Sequence, residues 1–100
     1  MLETVQSDSL NLVFGALADP SRRQVIGYLS ARGTATATEL TGELPMTRQA
    51  VSKHMTTLAD AGLVEAERQG RETRYRLTRT GTEWDDRLDA LAQHLGRRKT

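Results

Sequence analysis

Between Thr47 and Gly62 the chain reads Thr-Arg-Gln-Ala-Val-Ser-Lys-His-Met-Thr-Thr-Leu-Ala-Asp-Ala-Gly, a stretch rich in side chains that recognise nucleic acid. Arginine and lysine suit guanine edges or phosphates, glutamine pairs bidentately with adenine, and hydroxyls bond to either a base edge or a phosphate. Val51, Met55 and Leu58 recur at i, i+4 and i+7, which predicts a helix with one narrow apolar stripe. Arg48, Gln49, Ser52, Lys53 and Thr56 then share the opposite side. Thr47 is a suitable N-cap and Gly62 a suitable stop. The segment reads as a helix that carries a polar, basic face into a DNA groove. Taken alone it reads more readily as an ordinary amphipathic helix with a solvated outer face, so its neighbours decide.

Those neighbours have the right order. Thr36-Ala37-Thr38-Glu39 has the form of a capping box and opens a short helix that buries Leu40 and Leu44. Pro45 pushes Leu44 out of helical geometry and makes a turn. Residues 36–62 thus form a helix-turn-helix whose second member enters the major groove. Beyond Gly62 the period changes from helical to alternating. Residues 63–68 and 73–77 read as two strands joined at Gln69-Gly70-Arg71-Glu72, with Tyr75 and Leu77 on one face and Arg74 and Arg76 on the other. This two-stranded wing, residues 63–78, offers Arg68, Arg71 and Arg74 to phosphates or a minor groove. Charges that block edge pairing are the competing account of these arginines.

The charge balance agrees. Residues 47–79 hold seven basic against four acidic side chains, whereas residues 1–46 hold three against five. The chain has no cysteine, which removes disulfides, thiolate metal sites and cysteine nucleophiles. It has no glycine-rich phosphate loop, no GxSxG elbow and no HExxH, and the adjacent Asp85 and Asp86 point in different directions on a helix. Neither an enzyme nor a cofactor or metal site is expected, and Asp85, Asp86, Asp89 and His94 read as solvated helix residues. The apolar runs are too short for a membrane span and the start lacks the order of a secretory signal, so a cytoplasmic protein is expected.

The remaining elements are helical. Residues 1–8 show no periodicity and are expected to fray, with a first helix over 9–18 beginning at Ser9 and carrying Leu10, Val13, Phe14 and Leu17. Asp19-Pro20 caps a second helix that buries Val25, Ile26 and Leu29 and stops at Gly33; Arg22 and Arg23 read as solvated charges, with a phosphate contact as the other use. A last helix over 80–98 carries Trp84, Leu88, Leu91 and Leu95 at i, i+4, i+7 and i+11, with Arg97, Arg98 and Lys99 where the helix dipole favours cations. A 100-residue domain with one modest core cannot bury both terminal stripes. The helices at 9–18 and 80–98 are therefore expected to form a homodimer interface, through Leu10, Val13, Phe14, Leu17, Trp84, Leu88, Leu91 and Leu95.

Over residues 9–95 the chain resembles the ArsR/SmtB type of bacterial winged helix-turn-helix regulators. The resemblance rests on LADPSRRQVIGYL at 17–29, on the run Gln49 to Met55 with Leu58, on Ala61-Gly62-Leu63-Val64, on Gly70-Arg71 and Tyr75-Arg76-Leu77, and on the terminal helix with Trp84. It implies a mainly α fold of about five helices and a small β-hairpin, a homodimer joined through its terminal helices, and repression by occupying an inverted-repeat operator in double-stranded DNA. Carried over by position, it implies DNA contact from Thr47, Arg48, Gln49, Ser52, Lys53 and His54, with wing contact near Arg71. A small-molecule inducer is a further possible partner. Thiolate metal sensing is not implied, because Glu39-Leu40-Thr41-Gly42-Glu43-Leu44 stands where metal-sensing members carry a cysteine element. The alternative function is a winged-helix interaction module without specific DNA binding, which would show apolar or acidic residues on the outer face of 47–57.

Overall fold

A computed structural model describes the backbone of residues 2–98 and the side chains of residues 8–96. Five helices run in the order α1 (Leu2–Leu17), α2 (Pro20–Arg32), α3 (Ala37–Glu43), α4 (Arg48–Asp60) and α5 (Arg79–Arg98). Three short strands, β1 (Thr34–Thr36), β2 (Val64–Gln69) and β3 (Glu72–Leu77), form one antiparallel sheet in the order β1-β3-β2. The fold is the expected mainly α winged helix-turn-helix with one added strand. β1 pairs Thr34, Ala35 and Thr36 with Arg76, Tyr75 and Arg74, so the wing is anchored to the helices on a third strand rather than standing as a bare hairpin.

Local chemistry accounts for most boundaries. Asp19 accepts from the Ser21 amide at 2.7 Å and Pro20 occupies the first helical position of α2, which Gly33 ends with φ of 87°. Thr36 and Glu39 exchange both bonds of a capping box at the start of α3. Leu44 leaves the helix in extended geometry, as the following proline requires. Thr47 caps α4 through the Ala50 amide at 3.1 Å. The far end closes in a Schellman motif: Leu63 donates to the Leu58 carbonyl and Gly62, with φ of 78°, to the Ala59 carbonyl, both at 2.9 Å.

The ends of the chain differ from the sequence reading. α1 begins at Leu2, because nothing among residues 2–8 is a glycine or proline, so this segment is helical from Leu2 and Ser9 lies inside the helix. Met1 lies outside the described residues, as do the side chains of Arg97, Arg98 and Lys99. α5 starts at Arg79, one residue early, because Thr78 takes the Gly81 amide at 3.0 Å and acts as its cap.

The core lies between α2 and α4 and is lined by Val25, Ile26, Leu29, Leu40, Val51, Met55, Leu58 and Leu63, all essentially buried. α1 contributes Val13, Ala16 and Leu17 at i, i+3 and i+4. Tyr75, Leu77, Trp84 and Leu88 pack around it half-buried. This cluster holds the apolar edge of α4 inward and leaves its other side in solvent. Among the described residues, no helix is long and apolar enough to cross a membrane.

Candidate nucleic-acid interface

With Val51, Met55 and Leu58 buried, helical geometry turns Gln49, Lys53 and Thr56 outward and Arg48 and Ser52 to one flank. All five are exposed. Among the described residues, Gln49 and Lys53 make no side-chain hydrogen bond or ion pair. Their hydrogen-bonding capacity is therefore available to a ligand. Thr56 donates back to the Ser52 carbonyl and Thr57 to the Lys53 carbonyl, each at 3.1 Å, and Ser52, Lys53, Thr56 and Thr57 line a shallow groove of about 300 Å³. Thr57 was not expected there. Its signal, a position one residue past Thr56 on a widening polar face, is weak in sequence.

Thr47 and Arg48 are partly committed within the chain. The Thr47 oxygen caps the helix, leaving its O–H free to donate. Arg48 donates through Nη1 to Thr38 Oγ1 at 3.2 Å, and Thr38 donates in turn to Glu72 Oε1 at 2.9 Å. The first residue of the exposed helix, the short helix before it and the wing are thus joined by one chain of polar contacts.

His54 does not share the outer face. It is half-buried on the flank facing α2, its Nδ1 3.4 Å from Arg22 Nη1. Arg22 also reaches the Ala16 and Gly15 carbonyls at 2.6 and 3.1 Å, and Arg23 the Leu17 carbonyl at 2.5 Å. Both arginines cover the C-terminal carbonyls of α1, where cations are favoured; Arg22 is half-buried there, whereas Arg23 stays exposed to solvent as expected. His54 is therefore a packing contact of that cluster.

The wing is more self-contained than its arginine count suggests. The turn is two residues long, with Gln69 opposite Glu72, and Gly70 supplies the positive φ of 63°. On the solvent face Arg76 is paired with Glu65 at 3.7 Å and Glu67 at 2.5 Å. Arg74 is half-buried, bonded to Thr34 at 3.0 Å and Gln69 at 3.2 Å and 3.7 Å from Glu39. It belongs to the joint between β1, β3 and α3, which corrects its expected place on a free surface; the cause is β1, which the sequence reading lacked. Arg68 is exposed and bonds the Gly70 carbonyl through Nε at 3.0 Å. Arg71, at the tip, is exposed and unpaired among the described residues.

Two carboxylates are tuned by the caps. The Ser21 amide holds Asp19 below the ordinary carboxylate range against a smaller desolvation effect, with the Arg22 charge adding less than either, and the Thr36 amide does the same for Glu39.

A helix-turn-helix with a β-wing is what comparison with known proteins also returns. A family model described as a helix-turn-helix domain matches residues 17–67. The HTH-type transcriptional regulator YuzN of Bacillus subtilis is 43% identical over 59% of this chain and 71% of its own length. The crystal structure of an ArsR family transcriptional regulator, 35% identical, covers 94% of this chain and 96% of that one with a TM-score of 0.69. The chain belongs to the ArsR/SmtB-type winged helix-turn-helix family. Like its relatives it is a DNA-binding transcriptional regulator and not an enzyme. An ArsR-like regulator from Rhodococcus is 38% identical over 88% of this chain and 93% of that one, with a TM-score of 0.67. A homodimeric winged helix-turn-helix domain from Mycobacterium bovis is 29% identical over 95% of this chain and 84% of that one, with a TM-score of 0.76. Some curated relatives are longer: the probable mercury resistance operon repressor of Streptomyces lividans, 35% identical over 68% of this chain, is matched over 54% of its length.

In this ArsR-type chain the expected interface residues divide into two sets. Val13 and Leu17 are buried in the core of the single chain, and Trp84 and Leu88 are half-buried against it. Leu10, Phe14, Leu91 and Leu95 remain about half exposed, and Leu12 joins them at 55%. Phe14 meets the Trp84 ring edge-on at 5.6 Å, and the Arg87 guanidinium lies over the Trp84 ring at 4.9 Å. The reason for the division is that the turn of α1 carrying Val13, Ala16 and Leu17 faces inward, leaving the Leu10–Phe14 edge outside.

Proposed function

We propose that this regulator is a homodimeric repressor that binds an inverted-repeat operator, with α4 in the major groove and the wing tip on the adjacent backbone. The observation that carries the reading is the uncommitted outer face of α4. Gln49 and Lys53 point away from the core with no partner of their own among the described residues, and Arg48 and Ser52 flank them. An interaction module would expose apolar or acidic side chains there. Gln49 and Arg48 are the base-reading candidates; Lys53, Ser52, Thr56, Thr47 and, in the wing, Arg71 and Arg68 are the backbone contacts. His54 and Arg74 act behind them, as packing and as the wing's joint.

The exposed leucines and Phe14 on α1 and α5 support dimerisation, as does the homodimeric state of the Mycobacterium bovis domain. Repression is supported by the named repressors among the relatives. Twofold symmetry would set two copies of α4 about 34 Å apart, one turn of DNA. The protein would act on DNA in the cytoplasm.

Selection of bound sequences from a random DNA pool, followed by a salt titration on the winner, tests the reading. Enrichment of an inverted repeat with half-sites about one turn apart is the expected result. Absence of enrichment, with binding that disappears for every sequence at physiological salt, would leave only nonspecific attraction and favour the interaction module.

A further inference from the structure

Three carboxylates stand on the wing, Glu65, Glu67 and Glu72. Glu65 and Glu67 flank Arg76 and are paired with it. Glu72, the first residue of β3, is exposed and has no ion-pair partner among the described residues. It follows Arg71 directly and lies opposite Gln69 at the turn, on the part of the wing proposed to rest against the DNA backbone. A negative charge there opposes binding to phosphate whatever the sequence, and attraction to a polyanion alone would favour a basic or neutral side chain.

What Glu72 holds is a hydroxyl. Thr38 donates its O–H to Glu72 Oε1 at 2.9 Å, and Arg48 Nη1 donates to Thr38 Oγ1 at 3.2 Å. The direction of this relay is fixed by the groups in it, because a guanidinium only donates, a carboxylate only accepts and a hydroxyl has one proton to give. With that proton on the Glu72 side, a lone pair of Thr38 is left facing Arg48, and a hydroxyl that donates to an anion is a stronger acceptor in turn. The Thr38 bond is the one side-chain contact that Arg48 makes among the described residues. Glu72 thus acts on Arg48 without touching it.

We infer that Glu72 is a positioning residue for sequence preference, a wing carboxylate that orients Arg48 of α4 through the Thr38 hydroxyl and lowers affinity for all other DNA. This rests on the reading of α4 as the element that contacts bases. The two effects have opposite signs. Repulsion of phosphates acts on every sequence alike, whereas a held guanidinium favours the one base it is aimed at. Without Glu72 the Thr38 proton is free to turn toward Arg48, and the guanidinium is released to any base edge or phosphate in reach.

Competition binding of the full chain tests this on three duplexes: the selected operator, its single-base variant at the position that Arg48→Ala relaxes, and random sequence. Glu72→Ala is expected to bind random sequence about two- to fivefold tighter, and to discriminate between operator and variant about threefold or more less well. Glu72→Gln keeps an oxygen that accepts from Thr38 and loses the charge. It should therefore gain the same affinity for random sequence and keep most of the discrimination. In an Arg48→Ala background Glu72→Ala should leave discrimination at that position unchanged, a result that a general loosening of the wing would not give. Discrimination by Glu72→Ala equal to that of the unaltered protein, an equal loss with and without Arg48, or no gain on random sequence would each overturn the inference while the operator reading stood. Absence of sequence preference in the unaltered protein would overturn both.

Discussion

Arg48 reaches across the turn of the helix-turn-helix to donate to Thr38 Oγ1 at 3.2 Å, so the first residue of α4 is held by the helix before it. A guanidinium already oriented loses less freedom on contacting a base. Arg48→Ala is expected to lose about 1–3 kcal/mol at one operator position and to relax the preference there. Thr38→Val removes the tether together with the Thr38–Glu72 bond and keeps Arg48 itself; it should weaken the same complex by less and, lying at the surface, change stability by no more than about 0.5 kcal/mol. Competition binding against single-base operator variants distinguishes the two. Operator binding by Thr38→Val equal to that of the unaltered protein would mean that the Thr38 contact is not kept on DNA.

The wing should behave differently, because Arg74 and Arg76 are already paired, whereas Arg71 at its tip has no partner among the described residues. Arg71→Ala is expected to weaken binding across all sequences and to reduce the slope of log affinity against log salt by about one. Arg76→Ala should leave that slope nearly unchanged. Salt titrations of both variants on one operator check this; an equal loss of slope would show that Arg76 leaves Glu65 and Glu67 for DNA.

That contrast also marks what could be read from sequence. The helix-turn-helix was legible because its boundaries are written locally, in the Thr36–Glu39 box, Pro45, the Thr47 cap and Gly62. β1 was not, since Thr34-Ala35-Thr36 is too short to show alternation and owes its strand geometry to pairing with distant Tyr75. Without β1, Arg74 looked free. The stripe on α1 was legible as a stripe, but the division between buried Val13 and exposed Phe14 depends on how the helix lies on its neighbours, which periodicity does not encode. The arginine caps on α1 were hidden for the same reason, as Arg22 and its Gly15 and Ala16 partners meet only when α2 turns back.

Gly81 was unremarked in sequence and is sterically required. A Cβ built there would lie 2.0 Å from the Leu63 carbonyl oxygen, a backbone atom fixed by its bond from the Thr78 amide. Gly81→Ala should therefore cost about 1–3 kcal/mol as α5 is pushed off the sheet. Gly42→Ala, with nothing within 4 Å, should instead stabilise by about 0.5–1 kcal/mol. Thermal unfolding of the two variants should move in opposite directions.

Acid should loosen the two caps. Asp19 and Glu39 both have folded-state pKa values held below their unfolded ones, chiefly by the Ser21 and Thr36 amides. Such groups contribute stability above their unfolded values, near pH 4, and lose it as pH falls through the lower folded values. Denaturant unfolding between pH 6 and pH 2 should show stability declining below about pH 4. The decline should be shallower in the double variant Asp19→Asn with Glu39→Gln, which is less stable at neutral pH. An unchanged slope would remove both carboxylates from the acid response.

The two apolar sets on α1 and α5 make separable predictions for assembly. Leu91 is 53% exposed, so Leu91→Glu removes little from the folded monomer but places a charge on the face proposed to meet a partner. It should yield a monomer with nearly unchanged helical content, and operator affinity should fall because two half-sites are no longer engaged by one particle. Trp84 is half-buried, stacked edge-on with Phe14 and packed on the core, so Trp84→Ala should lower the stability of the chain itself, by about 1–3 kcal/mol. Sedimentation velocity and thermal unfolding, run on both variants, separate the outcomes. If Leu91→Glu stayed dimeric while Trp84→Ala became a stable monomer, the partner would meet the chain at the ring rather than along the exposed leucines.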